Sequence, residues 1–315
     1  MKPIKIIKNR SDIGAGARGS DLGIDALEIA AINKENDYFD RYEFVDIETK
    51  NESIYNKVKN SFAKRIQHVA EQCERVSNET KKTLEENKFP IVLSGDHSSA
   101  LGTISGIKAA YPDKELGVIW IDAHADIHSP YSSPSGNVHG MPLAAAIGDD
   151  NSYCQINIPT PETELHWNKM KNTGIDGPKI NPQNLVYFGV RDTEFPEEYQ
   201  MTKFEIRNYK VAEIRHRGLN VCIAETLEKL KNCDHLYISF DVDSMDCDSV
   251  SYGTGTPVPN GFDPKEIVEI INGIITSHKV ACIELVEINP LLDTKANKMA
   301  ETAFDILDQI TENLS

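Results

Sequence analysis

Four short polar stretches carry the side chains best suited to chemistry: Gly95-Asp96-His97-Ser98, Asp122-Ala123-His124-Ala125-Asp126, Asp241-Val242-Asp243 and Glu287-Ile288-Asn289-Pro290. Each directly follows an apolar run. In extended backbone alternate side chains face the same way, so Asp122, His124 and Asp126 are expected to project together, as are Asp241 and Asp243. Brought to one place, these residues and His97 supply four carboxylates and two imidazoles. Carboxylates crowded at a partly buried site repel one another and resist ionisation unless cations join them. Two divalent ions would balance four such charges. A carboxylate-rich set with some imidazole and no thiolate suits Mn²⁺ better than structural zinc, with Fe, Co, Ni or Zn as other occupants. Paired metals about 3.5–4 Å apart lower the pKa of a water between them and produce hydroxide at neutral pH. The pattern points to a dinuclear hydrolase site.

Plainer readings compete with this one. A single Asp after a strand commonly caps a helix, and Ser98 or Ser99 could cap a helix expected from near Ala100. Asp-x-His-x-Asp alone could be a solvated strand end held by salt bridges. The second pair, Asp241 and Asp243, at another strand end favours metal, because unpaired charges are rarely buried.

The elements that must position these residues are legible as apolar runs. Pro90–Ser94, Leu116–Ile121, Leu185–Val190, Leu236–Phe240 and Val280–Val286 read as buried strands. Between them lie helical patterns. Val58, Phe62, Ile66, Val69, Cys73 and Val76 share one helical face. Asp263-Pro264-Lys265-Glu266 combines an N-cap, a first-position proline and a capping-box acid, ahead of the stripe Ile267, Ile270, Ile271 and Ile274. Alternating strand and helix predicts an α/β fold with a mostly parallel sheet covered on both faces, and such sheets bind ligands at the carboxyl ends of their strands. Lys2–Asp12 reads as an edge strand. No linker or internal repeat divides the chain, so residues 1–315 are expected to form one domain.

Charge excludes whole classes of partner. With 33 Lys+Arg against 49 Asp+Glu, the 315-residue chain carries a formal charge of −16, which disfavours nucleic acid and anionic membrane surfaces. The basic N-terminus lacks the apolar stretch of a signal peptide, and no apolar run approaches the ~20 residues a bilayer requires. The six cysteines include no Cys-x-x-Cys pair, which suits a reducing, cytoplasmic setting.

Ser94-Gly95-Asp96-His97-Ser98, Asp122–Asp126 and Ser239-Phe240-Asp241-Val242-Asp243 resemble the three metal motifs of the arginase/agmatinase (ureohydrolase) family. The resemblance runs from the glycine-rich stretch Gly14–Ser20 to beyond Pro290. It implies a three-layer α/β/α fold and two Mn²⁺ ions, one held by His97, Asp122, Asp126 and Asp241, the other by Asp122, His124, Asp241 and Asp243. It further implies attack by a metal-bridging hydroxide on a guanidino carbon, with Asp126 holding the hydroxide. Glu287 would pair with the guanidinium, His139 would shuttle the proton to the leaving amine, and Thr256 would line the site. Family members are commonly trimers or hexamers, so a homo-oligomer is expected.

The stretch Ser129–Pro142 resembles the arginase branch most. There the matching loop contacts an α-carboxylate through the positions of Ser133, Ser135 and Asn137, with His128 beside them, while Glu194 and Glu197 sit where acids hold the α-amino group. L-arginine, cleaved to L-ornithine and urea, is thus the implied substrate; agmatine, a guanidino acid or formimidoylglutamate is the alternative. The chain departs from the pattern at four positions. His128 replaces an asparagine, Glu194 an aspartate, Ser94 a glycine and Cys247 a proline. A single-zinc deacetylase is a rival of a different class, opposed by the Asp243 and Glu287 carboxylates. A non-catalytic metal-binding subunit would have lost ligands that are present here.

Overall fold

The computed structural model describes residues 2–314. Among them lie eight strands: β1 (Ile4–Asn9), β2 (Glu43–Asp46), β3 (Phe89–Ser94), β4 (Leu116–Ile121), β5 (Leu185–Phe188), β6 (Arg207–Tyr209), β7 (His235–Asp241) and β8 (Val280–Val286). They form a single sheet in the order β2-β1-β3-β8-β7-β4-β5-β6. Every strand pair is parallel.

Successive residues of the central strands face opposite sides, and each side has its own apolar layer. Ile91, Leu93, Ile119, Ile121, Ile238, Phe240, Ile283 and Leu285 face one layer, which includes residues of the helices Gly23–Asn33, Pro264–Ile275 and Lys298–Asn313. Val92, Val118, Trp120, Tyr237 and Cys282 face the other, with residues of the helices Ile66–Glu85 and Ala100–Ala110. Helices on both faces of a parallel sheet make the expected three-layer α/β/α architecture. No helix among the described residues is long and apolar enough to cross a membrane.

The order of strands decides where chemistry can assemble. The chain lays down β1 to β3, skips two places to β4, continues outward to β6, and then returns to fill the gap with β7 and β8. The four adjacent strands β3, β8, β7 and β4 therefore end side by side, carrying His97, Glu287, Asp241 and Asp122 just beyond or at their carboxyl ends. This gap is the crevice where parallel sheets place ligands.

Several local expectations change. The strand Ile4–Asn9 is not an edge: it lies between β2 and β3. Its two lysines can be buried because Lys5 Nζ meets Glu79 at 2.8 Å and Lys8 Nζ meets Glu28 at 2.7 Å. The true edges are β2 and the three-residue β6, too short and polar to give a periodic signal. The helix expected to include Val58 and Phe62 begins only at Ile66, because Arg65 before it takes φ 58°, a left-handed value a helix interior does not accommodate. The run Leu185–Val190 ends as a strand at Phe188, where Gly189 turns the chain with φ 91°.

The capping box at Asp263 forms as expected: the Glu266 carboxylate accepts the Asp263 amide at 2.8 Å, and the helix runs Pro264–Ile275. Asp263→Ala should lower stability by about 1 kcal/mol, measured as a fall in the urea midpoint with an unchanged slope.

Candidate metal centre

His97, Asp122 and Asp243 lie within three residues of the ends of β3, β4 and β7, so the strands themselves largely place these side chains. Asp241 is the last residue of β7, and Asp243 follows in a tight turn whose amide donates to Asp241 Oδ1 at 2.8 Å. The stretch after β4 is bent rather than extended: β4 stops at Ile121. The simple alternation expected for Asp122, His124 and Asp126 is therefore not what aligns them. The His124 amide donates to Asp122 Oδ1 at 2.6 Å, and Asp126 takes φ 49°. Ala123 and Ala125 are fully buried, which leaves the three polar side chains to share a side.

His97 is the hub. Its imidazole stacks on Trp120 with centroids 4.0 Å apart and planes 5° from parallel. Its Nε2 lies 2.7 Å from Ser239 Oγ. Its Nδ1 faces Asp122 at 3.0 Å, Asp126 at 3.0 Å and Asp241 at 3.2 Å. A ring nitrogen carries at most one proton and cannot satisfy three carboxylates. Neither His97 Nδ1 nor Asp122 Oδ2 has a properly aligned hydrogen bond. On the other side of Asp122, His124 Nδ1 lies 3.5 Å from Asp122 Oδ1 and 3.0 Å from Asp243 Oδ2. His97, Asp122 and Asp126 form one group able to hold a metal ion, and Asp122, His124 and Asp243 form a second that shares Asp122.

Electrostatics report the same crowding. Burial, then the charges of Asp243 and Asp122, push the Asp241 carboxyl well above its usual range. Burial and Asp122 raise Asp126 to about 6, and Asp243 rises for the same causes. Burial opposes the charged form of Asp122 too, but the bonds and charges of His124 and His97 outweigh it and hold that carboxyl low. Burial likewise opposes protonation of His97 and His124, yet the surrounding carboxylates raise both well above the ordinary imidazole range. Buried hard oxygens with two imidazoles and too few protons form a donor set that fits divalent cations.

Other residues prop up this centre. Among the described residues Arg191 forms no salt bridge; its guanidinium donates to backbone carbonyls of Asp243 at 3.0 Å, Val258 at 2.8 Å and Pro259 at 3.0 Å, fixing the turn that carries Asp243. Glu284, fully buried in β8, accepts from Ser94 at 2.8 Å, Ser99 at 3.0 Å and Tyr237 at 2.6 Å, bracing both ends of the His97 loop. The Ser94 departure is thus absorbed by a partner on the neighbouring strand. Ser239, Trp120 and Glu284 were not among the expected site residues. They read as strand interior, and only register reveals their role.

A cavity of about 270 Å³ opens over the centre. Its lining includes His124, Asp126, His128, Ser135, Asn137, His139, Asp192, Glu194, Glu197, Thr256 and Glu287. Thr256 Oγ1 donates to Asp243 Oδ2 at 3.1 Å. Glu287, at φ 68°, accepts the His97 amide at 3.0 Å and faces His139 Nδ1 at 3.1 Å through the same oxygen. Burial disfavours the imidazolium of His139, but the Glu287 bond and charge prevail and raise it to about 9. At the opposite end, His128 Nε2 lies 2.8 Å from Glu194 and 3.6 Å from Glu197. Glu197 also accepts the Glu194 amide at 3.1 Å as part of a helix cap, and burial pushes it up to about 8. Ser133 does not line the cavity; its buried hydroxyl accepts the Gly136 amide at 3.0 Å and shapes the loop.

That loop is held from behind. The side chain of Asn157 donates to the carbonyls of Pro130 at 3.1 Å and Ser133 at 2.6 Å. Lys64 donates through its amide to Gly136 at 2.7 Å and through Nζ to Asn137 at 2.9 Å. The 151–178 segment, featureless in the sequence apart from Trp167, is in part a buttress for the cavity wall.

The Arginase family model matches residues 3–311. The chain is 33% identical over 311 residues to an arginase of Bacillus subtilis (strain 168), covering 98% of this chain and 97% of that one. It is 32% identical over 313 residues to an arginase of Bacillus caldovelox, covering 98% of each. The native structure of the Bacillus caldovelox arginase at pH 5.6 superposes with a TM-score of 0.83 over 98% of both chains. The chain belongs to the arginase family and is a metal-dependent hydrolase of the arginase type.

Proposed function

We propose that the chain hydrolyses L-arginine to L-ornithine and urea with two Mn²⁺ ions. His97, Asp122, Asp126 and Asp241 would hold one ion, and Asp122, His124, Asp241 and Asp243 the other. The observation that carries this reading is the orphaned His97 Nδ1 among three carboxylates, beside a second group sharing Asp122. When bound, the cations supply Lewis-acid polarisation and lower the pKa of water, giving a nucleophile at neutral pH.

The side chains then divide the work. Seven carboxylates line the cavity (Asp126, Asp192, Glu194, Glu197, Asp241, Asp243 and Glu287) and no lysine or arginine does, so a cationic substrate is favoured. Glu287 takes the guanidinium through a charge-assisted pair, turning its carbon toward the centre. Asp126 accepts a hydrogen bond from the attacking group and aligns it. In the free protein Glu287 keeps His139 protonated. A guanidinium competing for that carboxylate lowers the proton affinity of His139 and readies it to protonate the departing amine. Ser135 and Asn137 on one wall, with His128, meet the α-carboxylate, while Glu194 and Glu197 meet the α-amino group. The support for arginine over other guanidino compounds is the likeness of this chain to arginases across 98% of its length.

Urea release from the Mn²⁺-loaded protein should be seen with L-arginine and be far weaker with agmatine, which lacks the carboxylate. Equal or greater release from agmatine would assign the cavity to another guanidino substrate. Glu287→Gln should lower kcat/KM by about 10²-fold or more without loss of metal, checked by metal analysis of the dialysed protein. Protons and cations compete for Asp126, His97 and His124, groups that bind protons more tightly folded than unfolded. Their contribution to metal-free stability therefore falls as pH rises, through about 4 to 6 for Asp126 and above the ordinary imidazole range for the histidines. The rise in Tm on adding Mn²⁺ to chelator-treated protein should accordingly be larger at about pH 8 than at about pH 5.5. A larger rise at the lower pH would contradict this ligand set.

A further inference from the structure

The two walls at the outer end of the catalytic cavity come from segments far apart in the chain. His128 begins the loop that carries Ser135 and Asn137, while Glu194 caps the helix Phe195–Lys203 and Glu197 lies in its first turn. Both walls are fastened to one tripeptide outside the cavity lining, Asp149-Asp150-Asn151. It follows the helix Pro142–Ile147, which is buried throughout and whose Leu143 amide donates to the Asp126 carbonyl at 3.1 Å. The tripeptide therefore stands on a base continuous with the metal centre.

On the helix side, Asn151 Nδ2 donates to the Pro196 carbonyl at 2.8 Å. Asp149 accepts from Gln200 Nε2 and from Lys203 Nζ, each at 2.6 Å. Pro196 and Gln200 flank Glu197, so the tripeptide holds the helix along its length. On the loop side, Ser129, next to His128, donates its hydroxyl to the Asp150 carbonyl at 2.5 Å. The Asp150 carboxylate is taken by Trp167 and Lys171 of the helix Pro161–Lys171, each at 2.6 Å. Within the tripeptide Asp149 accepts the Asn151 amide at 2.7 Å, and Asn151 takes φ 50°, a left-handed value that asparagine tolerates. Burial opposes the charge on Asp149, but Lys203, Gln200 and the Asn151 amide prevail and hold its carboxyl below the usual range.

We infer that Asp149 and Asn151 are positioning residues that set the separation of the two cavity walls and so fit the site to an α-amino acid head. The inference rests on the reading of this cavity as an arginine site. An amine and a carboxylate on one carbon have a fixed separation, so walls that grip one group each must be held at a matching distance. The tripeptide is the piece of chain bonded to both.

Steady-state urea release and competitive inhibition, measured on the Mn²⁺-loaded protein, test this role. Asn151→Gly keeps the left-handed backbone accessible and removes the tie to Pro196; Asp149→Ala removes the ties to Gln200 and Lys203. Each should raise KM for L-arginine about tenfold and leave kcat within about twofold, because Glu287 still holds the guanidinium. The inhibition constant of L-ornithine, which keeps the amino acid head, should rise in parallel. That of n-butylguanidine, which keeps only the guanidinium and a carbon chain, should not move. Asp149→Asn can still accept from Gln200 and the Asn151 amide and should recover most of the loss. Asn151→Gly decides the matter if Asp149→Ala does not fold. An unchanged KM in the variants, or equal weakening of L-ornithine and n-butylguanidine, overturns the inference alone. An unaltered protein that releases no urea from L-arginine overturns the arginine reading and this inference with it.

Discussion

Like charge held in a buried place is the constraint on which the rest of this structure depends. Asp122, Asp126 and Asp241 converge on one nitrogen of His97, and Asp243 closes on His124. In an apolar surround the ionised carboxylates raise one another's pKa and repel. The molecule answers with rigidity. Stacking on Trp120 and contact with Ser239 fix the His97 ring, backbone amides tie Asp122 and Asp241, and Arg191 braces the turn at Asp243. A preorganised set of donors spends little conformational freedom when a cation arrives. The same set is unfavourable when protons and cations are both absent.

The sheet supplies this rigidity because the critical side chains sit at the ends of its four central strands, each hydrogen-bonded on both sides. Distant segments become neighbours in this way. The Glu287 amide bonds to Gly95 at 2.8 Å, and Glu284 links β8 to Ser94 and Ser99 across β3. At Gly95 an added Cβ would lie 2.2 Å from the Ser11 carbonyl, so the loop carrying His97 packs directly on the loop after β1. The N-terminal strand thus belongs to the foundation of the centre.

The cavity wall is built on a different principle. Its polar residues lie on loops, and those loops are tied by side chains from remote segments, namely Lys64 and Asn157. At the far end of the cavity His128 pairs with Glu194. His128 and Glu194 thus meet each other and are coupled: a change in one alters the partner of the other.

Residue types and local spacing determined a good deal by themselves. The apolar runs gave five strands to within a few residues, the Asp263 capping box marked its helix, and the polar residues after four of those runs are the ones that converge at the strand ends. These features depend on near neighbours, where periodicity and hydrogen-bonding capacity are visible in the sequence. Tertiary structure alone decided that Ile4–Asn9 lies inside the sheet, that short β2 and β6 are its edges, and that Ser133 shapes the loop while Ser135 lines the cavity. It alone revealed Ser239, Trp120, Glu284, Arg191 and Asn157 as supports of the site. Each of these is set by contacts between segments far apart in the chain. A serine or glutamate inside a strand looks the same in sequence whether it faces an aliphatic neighbour or the far side of a metal ligand, and only strand order and register distinguish the two.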